Sequence, residues 1–454
     1  MEVVGVNRLS IRREIRWMVL PIIIESIFAL SGNLVFIAFL GRIDSVGLSS
    51  ITHVAAYGLA VIVTLIVWNL LKGISIGATI GIAQAYGAGD YDKIQRIGWQ
   101  TYELLFVLGG ICSVLLFVFA EPIVAFYDPD TETMRLGVEY IRICCFGFPF
   151  LGLMHSSTGV LQGIGNTKSP MKFSGILNVV YILVGLPLIF GWIGPAIGVI
   201  GSAYALVVGQ IITASFGLWT LFGKRGLLRR GIKDKKYLPR PRLMLQILKL
   251  GLPTSMENIF WLLAAMVIGR VMLGYGELQY AANQIGLQTE AIATLPATSF
   301  GIVAMTLCGR AIGARNRELG EAYVSEIKKS AYPVIAVGCA VLLLLPVPFL
   351  MLMTSNAEVI SLSTIYLRLV GGCLPALALA QIYMGALKSA GRTRTPMLVA
   401  LGGIWCIRVP LSILAGTIAE STIVWLWVIM AIDLLARFVV SWWLFRRARI
   451  FETL

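Results

Sequence analysis

The stretch Gly159–Met171, GVLQGIGNTKSPM, returns 226 positions later as Gly385–Met397, GALKSAGRTRTPM. Leu161/Leu387, Gly165/Gly391, Thr167/Thr393, Pro170/Pro396 and Met171/Met397 match. The same register pairs Tyr140-Ile141-Arg142-Ile143 with Tyr366-Leu367-Arg368-Leu369, Pro149 with Pro375, and Pro122 with Pro348. Ala83-Gln84-Ala85-Tyr86-Gly87-Ala88 meets Gly309-Arg310-Ala311-Ile312-Gly313-Ala314. Near the start of each half the offset becomes 232, where Leu20-Pro21 and Glu25 match Leu252-Pro253 and Glu257, so a small indel separates the copies there. Shared apolar composition does not explain shared proline, glycine, arginine and glutamate positions. The 454-residue chain is one unit built twice.

What that unit can be follows from its solvent. With 58% hydrophobic and 13% charged residues, the chain cannot cover itself with an ordinary charged surface, and it reads as an all-α integral membrane protein. Crossing a hydrocarbon core takes roughly 20 mostly apolar helical residues. Twelve such runs fall near 15–40, 50–80, 97–120, 137–160, 170–190, 197–222, 244–273, 281–307, 329–352, 360–384, 397–416 and 422–445. Six spans per copy preserve orientation. The copies are therefore expected to be parallel lobes, 1–221 and 244–454, joined by a basic linker, 222–243, with the substrate site between them.

Glycines and the Ser169-Pro170 and Thr395-Pro396 pairs place the founding motif at a turn, with an N-cap followed by proline at the first helical position. The glycine-rich ends Gly73–Gly89 and Gly301–Gly313 suit close helix packing, and neither has the lysine and hydroxyl of a phosphate-binding loop.

The net charge of +14 is distributed as the positive-inside rule expects. Arg8, Arg12, Arg13, Arg16, Lys93, Arg96, Lys168, Lys172, Arg315, Arg317, Arg392, Arg394, Arg446, Arg447 and Arg449 collect on one side. Asp44, Glu121, Asp128, Asp130, Glu132, Glu277, Glu358 and Glu420 collect on the other, with only Arg42 and Arg135 against them. This predicts a multi-pass protein of the cell membrane with both termini in the cytoplasm, and it argues against nucleic acid. The first apolar run is too long for a signal peptide and is read as a retained helix. The linker suits attraction to anionic lipid. All seven cysteines lie in apolar runs and read as core residues. No metal motif, His/Asp cluster or Ser–Lys dyad points to an enzyme, a cofactor or a bound metal, and no pore-loop segment points to a channel.

Charged groups at bilayer depth are costly, about 2.5–3.5 kcal/mol each even on the lenient insertion scale. They are Glu25, Lys72, Glu103, Glu257, Arg270, Glu290, Arg408, Asp433 and Arg437. Asp433 and Arg437 are spaced to pair along one helix. Glu25 and Glu257 lie 10–13 residues into their runs, roughly 15–20 Å at 1.5 Å per residue, and Glu290 lies in the eighth run. Desolvation there favours the neutral acid, which makes Glu257, Glu290 and Glu25 candidates to exchange a coupling ion for a substrate. The alternative is that they are hydrogen-bonded across helices to steady the lobes. Trp261, Phe260 and Met256 could supply a cavity wall for aromatic cations, and Lys72 is a further cavity candidate. His53 and His155 have no metal-ligand spacing.

The chain resembles the multidrug and toxic compound extrusion (MATE) family over nearly its whole length. The residues that carry the resemblance are Leu20-Pro21 with Glu25; Gly41-Arg42; Gly77 through Gly89; Gly163 through Met171; Gly251-Leu252-Pro253-Thr254-Ser255; Ala281-Ala282-Asn283-Gln284; and Arg408-Val409-Pro410-Leu411. The resemblance implies twelve helices in two six-helix lobes around a central cavity. It also implies export of amphipathic, often cationic compounds by alternating access, driven by H⁺ or Na⁺, by a chain expected to act as a monomer. The chain departs from the family in the first helix. Phe36 stands where many members carry an acid, Asn33 lies one turn earlier, and the fifth run contains no acid. Coupling is then expected at Glu25 or in the second half. Asn283-Gln284 occupy the place of a polar pair that often opens the eighth span. A flippase for lipid-linked saccharides, which shares the wider architecture, is the alternative.

Overall fold

A computed structural model describes residues 8–40, 50–192, 194–224, 226–229, 239–417 and 422–452. Among these residues every regular element is helical. The first half contains α1 (Arg8–Leu40), α2 (Ser50–Gly87), α3 (Tyr91–Ala125), α4 (Thr131–Cys145), α5 (Phe148–Gly163), α6 (Lys168–Phe190) and α7 (Val199–Phe222). The second contains α8 (Pro241–Leu273), α9 (Glu277–Gly313), α10 (Arg317–Leu344), α11 (Pro346–Met351), α12 (Ala357–Ser389), α13 (Arg394–Leu401), α14 (Val409–Thr417) and α15 (Ile423–Ala448). Each of the twelve apolar runs is occupied by helix. Among the described residues ten helical segments are long and apolar enough to cross a membrane, and the bent pair α4–α5 makes an eleventh. The run at 15–40, which is α1, stands outside that count.

The duplication is visible in the details that start and stop helices. Asp90 caps α3 by accepting the Lys93 N–H at 2.9 Å, and its counterpart Asn316 caps α10 by accepting the Leu319 N–H at 2.9 Å. Asp130 caps α4 and its counterpart Asn356 caps α12. Each cap satisfies a backbone donor that the first turn leaves unpaired.

In the founding motif Gly165 and Gly391 both take left-handed backbone, at φ 76° and 77°, where a side chain would be strained. The expected caps are corrected here: α6 and α13 begin earlier, behind Thr167 and Thr393. Ser169 is already helical, and its N–H is accepted by Asn166 Oδ1 at 3.1 Å. Pro170 and Pro396 then occupy the first turn, where a missing N–H costs nothing.

The copies differ where the fourth run becomes two helices bent by 52°. Pro149 opens α5 after Gly147, and a Cβ at Gly147 would collide with the carboxamide of Gln210. The second copy has Cys373 at the equivalent of Gly147, and α12 continues through Pro375 as one helix of 33 residues.

Two compact units emerge. One comprises 24–82 and 90–255, and the other 1–23, 83–89 and 256–454. The boundaries cut through α1, α2 and α8, so each of these helices contributes to both units. In the second unit α9 and α12 pack most extensively, around a core that includes Phe300, Tyr366, Leu374 and Trp427 together with Ile15 and Ile22 from the start of α1. Ion pairs fix that start: Arg12 Nε to Glu326 at 2.5 Å and Arg310 to Glu14 at 2.6 Å. The ends of α2 and α9 cross through reciprocal glycines, Gly87 against the Arg310 backbone and Gly313 against the Gln84 backbone. Positions 84 and 310, and 87 and 313, are equivalents in the repeat.

Candidate functional site

Glu25, Glu257 and Glu290 each meet a partner from a distant part of the chain, whereas Glu103 accepts from Gln100 three residues away on its own helix at 3.2 Å. In the unit of 24–82 and 90–255, Gln162 on α5 donates its amide to Glu25 on α1 at 3.3 Å. Lys72, exposed on α2, lies within electrostatic reach of the same carboxylate. Below them His155 is buried, edge-on to Trp68 with ring centroids 4.8 Å apart. Buried His53 abuts Gly198. Asn33 and Phe36 lie on α1, and their side chains fall outside the described residues, as do Gly41, Arg42 and linker positions 225 and 230–238.

In the other unit Lys388 on α12 donates to Glu257 on α8 at 2.8 Å, with the two side chains 14% and 23% exposed. Position 388 is the repeat equivalent of 162, and 257 of 25. The two pairs are therefore one architectural feature expressed twice, as carboxylate with amide in the first copy and carboxylate with ammonium in the second. Lys388 was absent from the sequence candidates because it sits in the founding motif, which reads as a turn. The available signal was its alignment with Gln162, each standing three residues before a left-handed glycine, Gly165 and Gly391.

Glu290 on α9 is buried and accepts the hydroxyl proton of Tyr366 on α12, with the Arg408 guanidinium within electrostatic reach. Arg408 closes a π-helical stretch, Gly402–Arg408, between α13 and α14, and one of its N–H groups points at Met430 Sδ at 3.0 Å. Such stretches interrupt the regular ladder and recur at functional sites. Behind it Arg437 pairs with fully buried Asp433 at 2.7 Å, as the spacing on one helix predicts. Gly403 makes room, because a Cβ there would collide with Asp433.

The same unit holds a cavity of about 200 Å³ whose wall includes Trp261, Met272, Tyr280, Asn283, Gln284 and Arg408. Two residues at the opening of α9 face it with their hydrogen bonds already arranged. Asn283 Oδ1 accepts from Trp427 Nε1 at 3.2 Å, and Gln284 donates to the Tyr280 hydroxyl at 2.8 Å. Trp261, Asn283 and Gln284 thus line one cavity, with Arg408 as its charged member. Met256 lies on α8 outside this wall, and Glu257 and Glu290 are not among its lining residues. The wall presents ring faces, a thioether, two amides and one guanidinium.

The MatE family model matches residues 21–186 and 253–414, one stretch in each repeat and more than half of the chain. The chain belongs to the MatE family. It is 27% identical, over 94% of its length and 90% of the relative's, to the probable multidrug resistance protein NorM of Thermotoga maritima. It is 24% identical to the probable multidrug resistance protein YoeA of Bacillus subtilis, over 92% of this chain and 90% of the relative. Its fold superposes on a crystal structure of MATE in complex with MaL6 with a TM-score of 0.88 at 19% identity, covering 98% of each chain. An outward-facing multidrug resistance MATE family transporter of the MOP superfamily matches with a TM-score of 0.86 at 20% identity, covering 100% of each. This MatE-family chain is thus a multi-pass membrane transporter with the all-helical fold of those structures.

Proposed function

We propose that the protein is a secondary-active multidrug efflux antiporter of the cell membrane, exporting amphipathic or cationic compounds by alternating access between its repeated halves, 1–221 and 244–454, in exchange for H⁺ or Na⁺. Both termini are placed in the cytoplasm. The observation that carries the reading is the pair of equivalent carboxylates, Glu25 and Glu257, together with Glu290. Each is held at membrane depth by a polar partner from another helix. The names of the Thermotoga and Bacillus relatives support multidrug export.

The three acids divide by partner. Among the described residues Glu25 and Glu290 are hydrogen-bonded to neutral groups and are in no ion pair, with Lys72 and Arg408 acting on them only at longer range, so a cation can bind there without breaking a direct salt bridge. Glu257 is matched by Lys388. A proton or Na⁺ reaching Glu257 must release that ammonium, which ties occupancy to the contact between α8 and α12. Trp261, Asn283 and Gln284 supply apolar and hydrogen-bonding contacts to the substrate. An ionised carboxylate then holds a cationic group until the incoming ion neutralises it.

The test is efflux of a fluorescent cation from proteoliposomes under separately imposed Na⁺ and pH gradients. One of the two gradients is expected to drive transport. Glu25→Gln, Glu257→Gln and Glu290→Gln are then compared at equal reconstituted yield, and at least one is expected to abolish gradient-driven transport. Undiminished transport in all three removes the acids from the coupling step.

A further inference from the structure

We propose that the groove between the start of α10 and the end of α15 binds the phosphate headgroup of an anionic glycerophospholipid. The groove encloses about 220 Å³ and is lined by three basic side chains, Lys328, Arg446 and Arg449, two acids, Glu321 and Glu452, and the hydroxyl-bearing Ser325. The acids are already engaged. Glu321 accepts from Arg317 at 2.8 Å, and Glu452 pairs with Arg449 at 3.1 Å and with Arg317 at 3.9 Å. Both carboxylates of the groove are therefore already paired with arginines. Among the described residues Lys328 and Arg446 have no ion pair, and they stand close enough to repel each other. Their only ring contacts are to faces: Lys328 Nζ lies 5.9 Å from the Tyr383 centroid and Arg446 lies 4.4 Å from that of Trp442. Two like charges in one groove, neither in an ion pair among the described residues while the groove's carboxylates are engaged elsewhere, are the electrostatic outline of a bound anion.

The groove is a built feature rather than a chance gap between helix ends. The chain turns after α15 and buries Ile450 and Phe451, with the Phe451 ring seated on Gly320, where a Cβ would approach within 2.5 Å. That seat brings Arg449 and Glu452 into the same groove as Lys328, with Val324, Phe445, Ile450 and Phe451 as its apolar lining.

What surrounds the groove selects a lipid over a free oxyanion. On α10 the residue one turn beyond Lys328 is Tyr332, 52% exposed. On α15 the residue one turn before Arg446 is Trp442, 36% exposed, followed inward by Val439 at 56%. Because α10 enters the apolar span where α15 leaves it, both helices pass from charge to ring in the same direction, and on α15 bare aliphatic surface follows at Val439. Aromatic rings at the level of the headgroups and basic pockets between helices are the pattern of lipid recognition. A headgroup in the groove would lay its acyl chains along those exposed side chains.

The experiment is native mass spectrometry of the full-length protein in detergent, titrated with phosphatidylglycerol or phosphatidylcholine of matched chains. The wild type is expected to retain phosphatidylglycerol in preference to phosphatidylcholine. Lys328→Gln and Arg446→Gln should each weaken it about 5-fold and the double variant roughly 30-fold. Arg447→Gln removes an equally exposed cation stacked 5.1 Å from Trp443 and outside the groove, and should change nothing. Equal binding of the two lipids, or an equal loss in Arg447→Gln, overturns the proposal. Complete displacement of phosphatidylglycerol by millimolar inorganic phosphate overturns the lipid assignment in favour of an oxyanion site. If the double variant does not yield a monodisperse protein, the single Lys328→Gln titration decides. The groove is separate from the acids assigned to transport, so loss of lipid binding with efflux intact leaves the efflux reading untouched.

Discussion

Exchanging Lys388 for glutamine would install in the second repeat the partner that the first repeat carries at 162, and the energetic consequence can be worked from the structure. At 2.8 Å and an effective dielectric of about 20, the Coulomb attraction between Lys388 and Glu257 is roughly 6 kcal/mol. Desolvation of both groups opposes it, and a hydrogen bond between charged partners retains a net of only about 1.5–3 kcal/mol. Both side chains keep some exposure, 14% and 23%, which favours the lower half of that range. Glu257→Gln strands an ammonium and is expected to cost about 2–3 kcal/mol. Lys388→Gln leaves a carboxylate with an amide donor, the arrangement Glu25 already has, and is expected to cost about 1–2 kcal/mol. The double variant should lose no more than about 2 kcal/mol, which leaves a coupling near 2 kcal/mol. The four proteins would be compared by reversible unfolding in mixed micelles with increasing SDS, followed by tryptophan fluorescence. Additive losses, agreeing to within about 0.5 kcal/mol, would refute the argument that the two repeats use one shared pairing position.

Other contacts make equally specific demands. Gly87→Ala and Gly313→Ala each drive a methyl group into a backbone carbonyl at the crossing of α2 and α9, and should sharply reduce the monodisperse yield on size exclusion. Gly110→Ala, with no neighbour within 4 Å, should be neutral or stabilise by up to about 1 kcal/mol. Asp433→Asn strands Arg437 beside a fully buried position and should cost about 3–5 kcal/mol, read as a lowered unfolding midpoint, with Asp433→Asn/Arg437→Met recovering part of the loss. Tyr366→Phe removes the donor to Glu290 and should destabilise by about 1–3 kcal/mol in the wild type and by less in a Glu290→Gln background.

The sequence by itself determined the solvent, the helices and the duplication, because each is a local or periodic property. Apolar runs of spanning length are readable one window at a time, and the match of Gly165 with Gly391 records the same left-handed turn in both copies. The pairing of Asp433 with Arg437 was equally legible, since residues four apart share a helix face. Only the tertiary structure decided who faces the buried acids. Gln162, Lys388 and Tyr366 stand 137, 131 and 76 positions from the carboxylates they meet. Such partners depend on which helices pack and how each is rotated about its axis, and no local pattern encodes either. The break between α4 and α5 has the same origin. Both copies carry the proline, but only the first sets a glycine against Gln210, and the collision that requires it involves a helix more than sixty residues away.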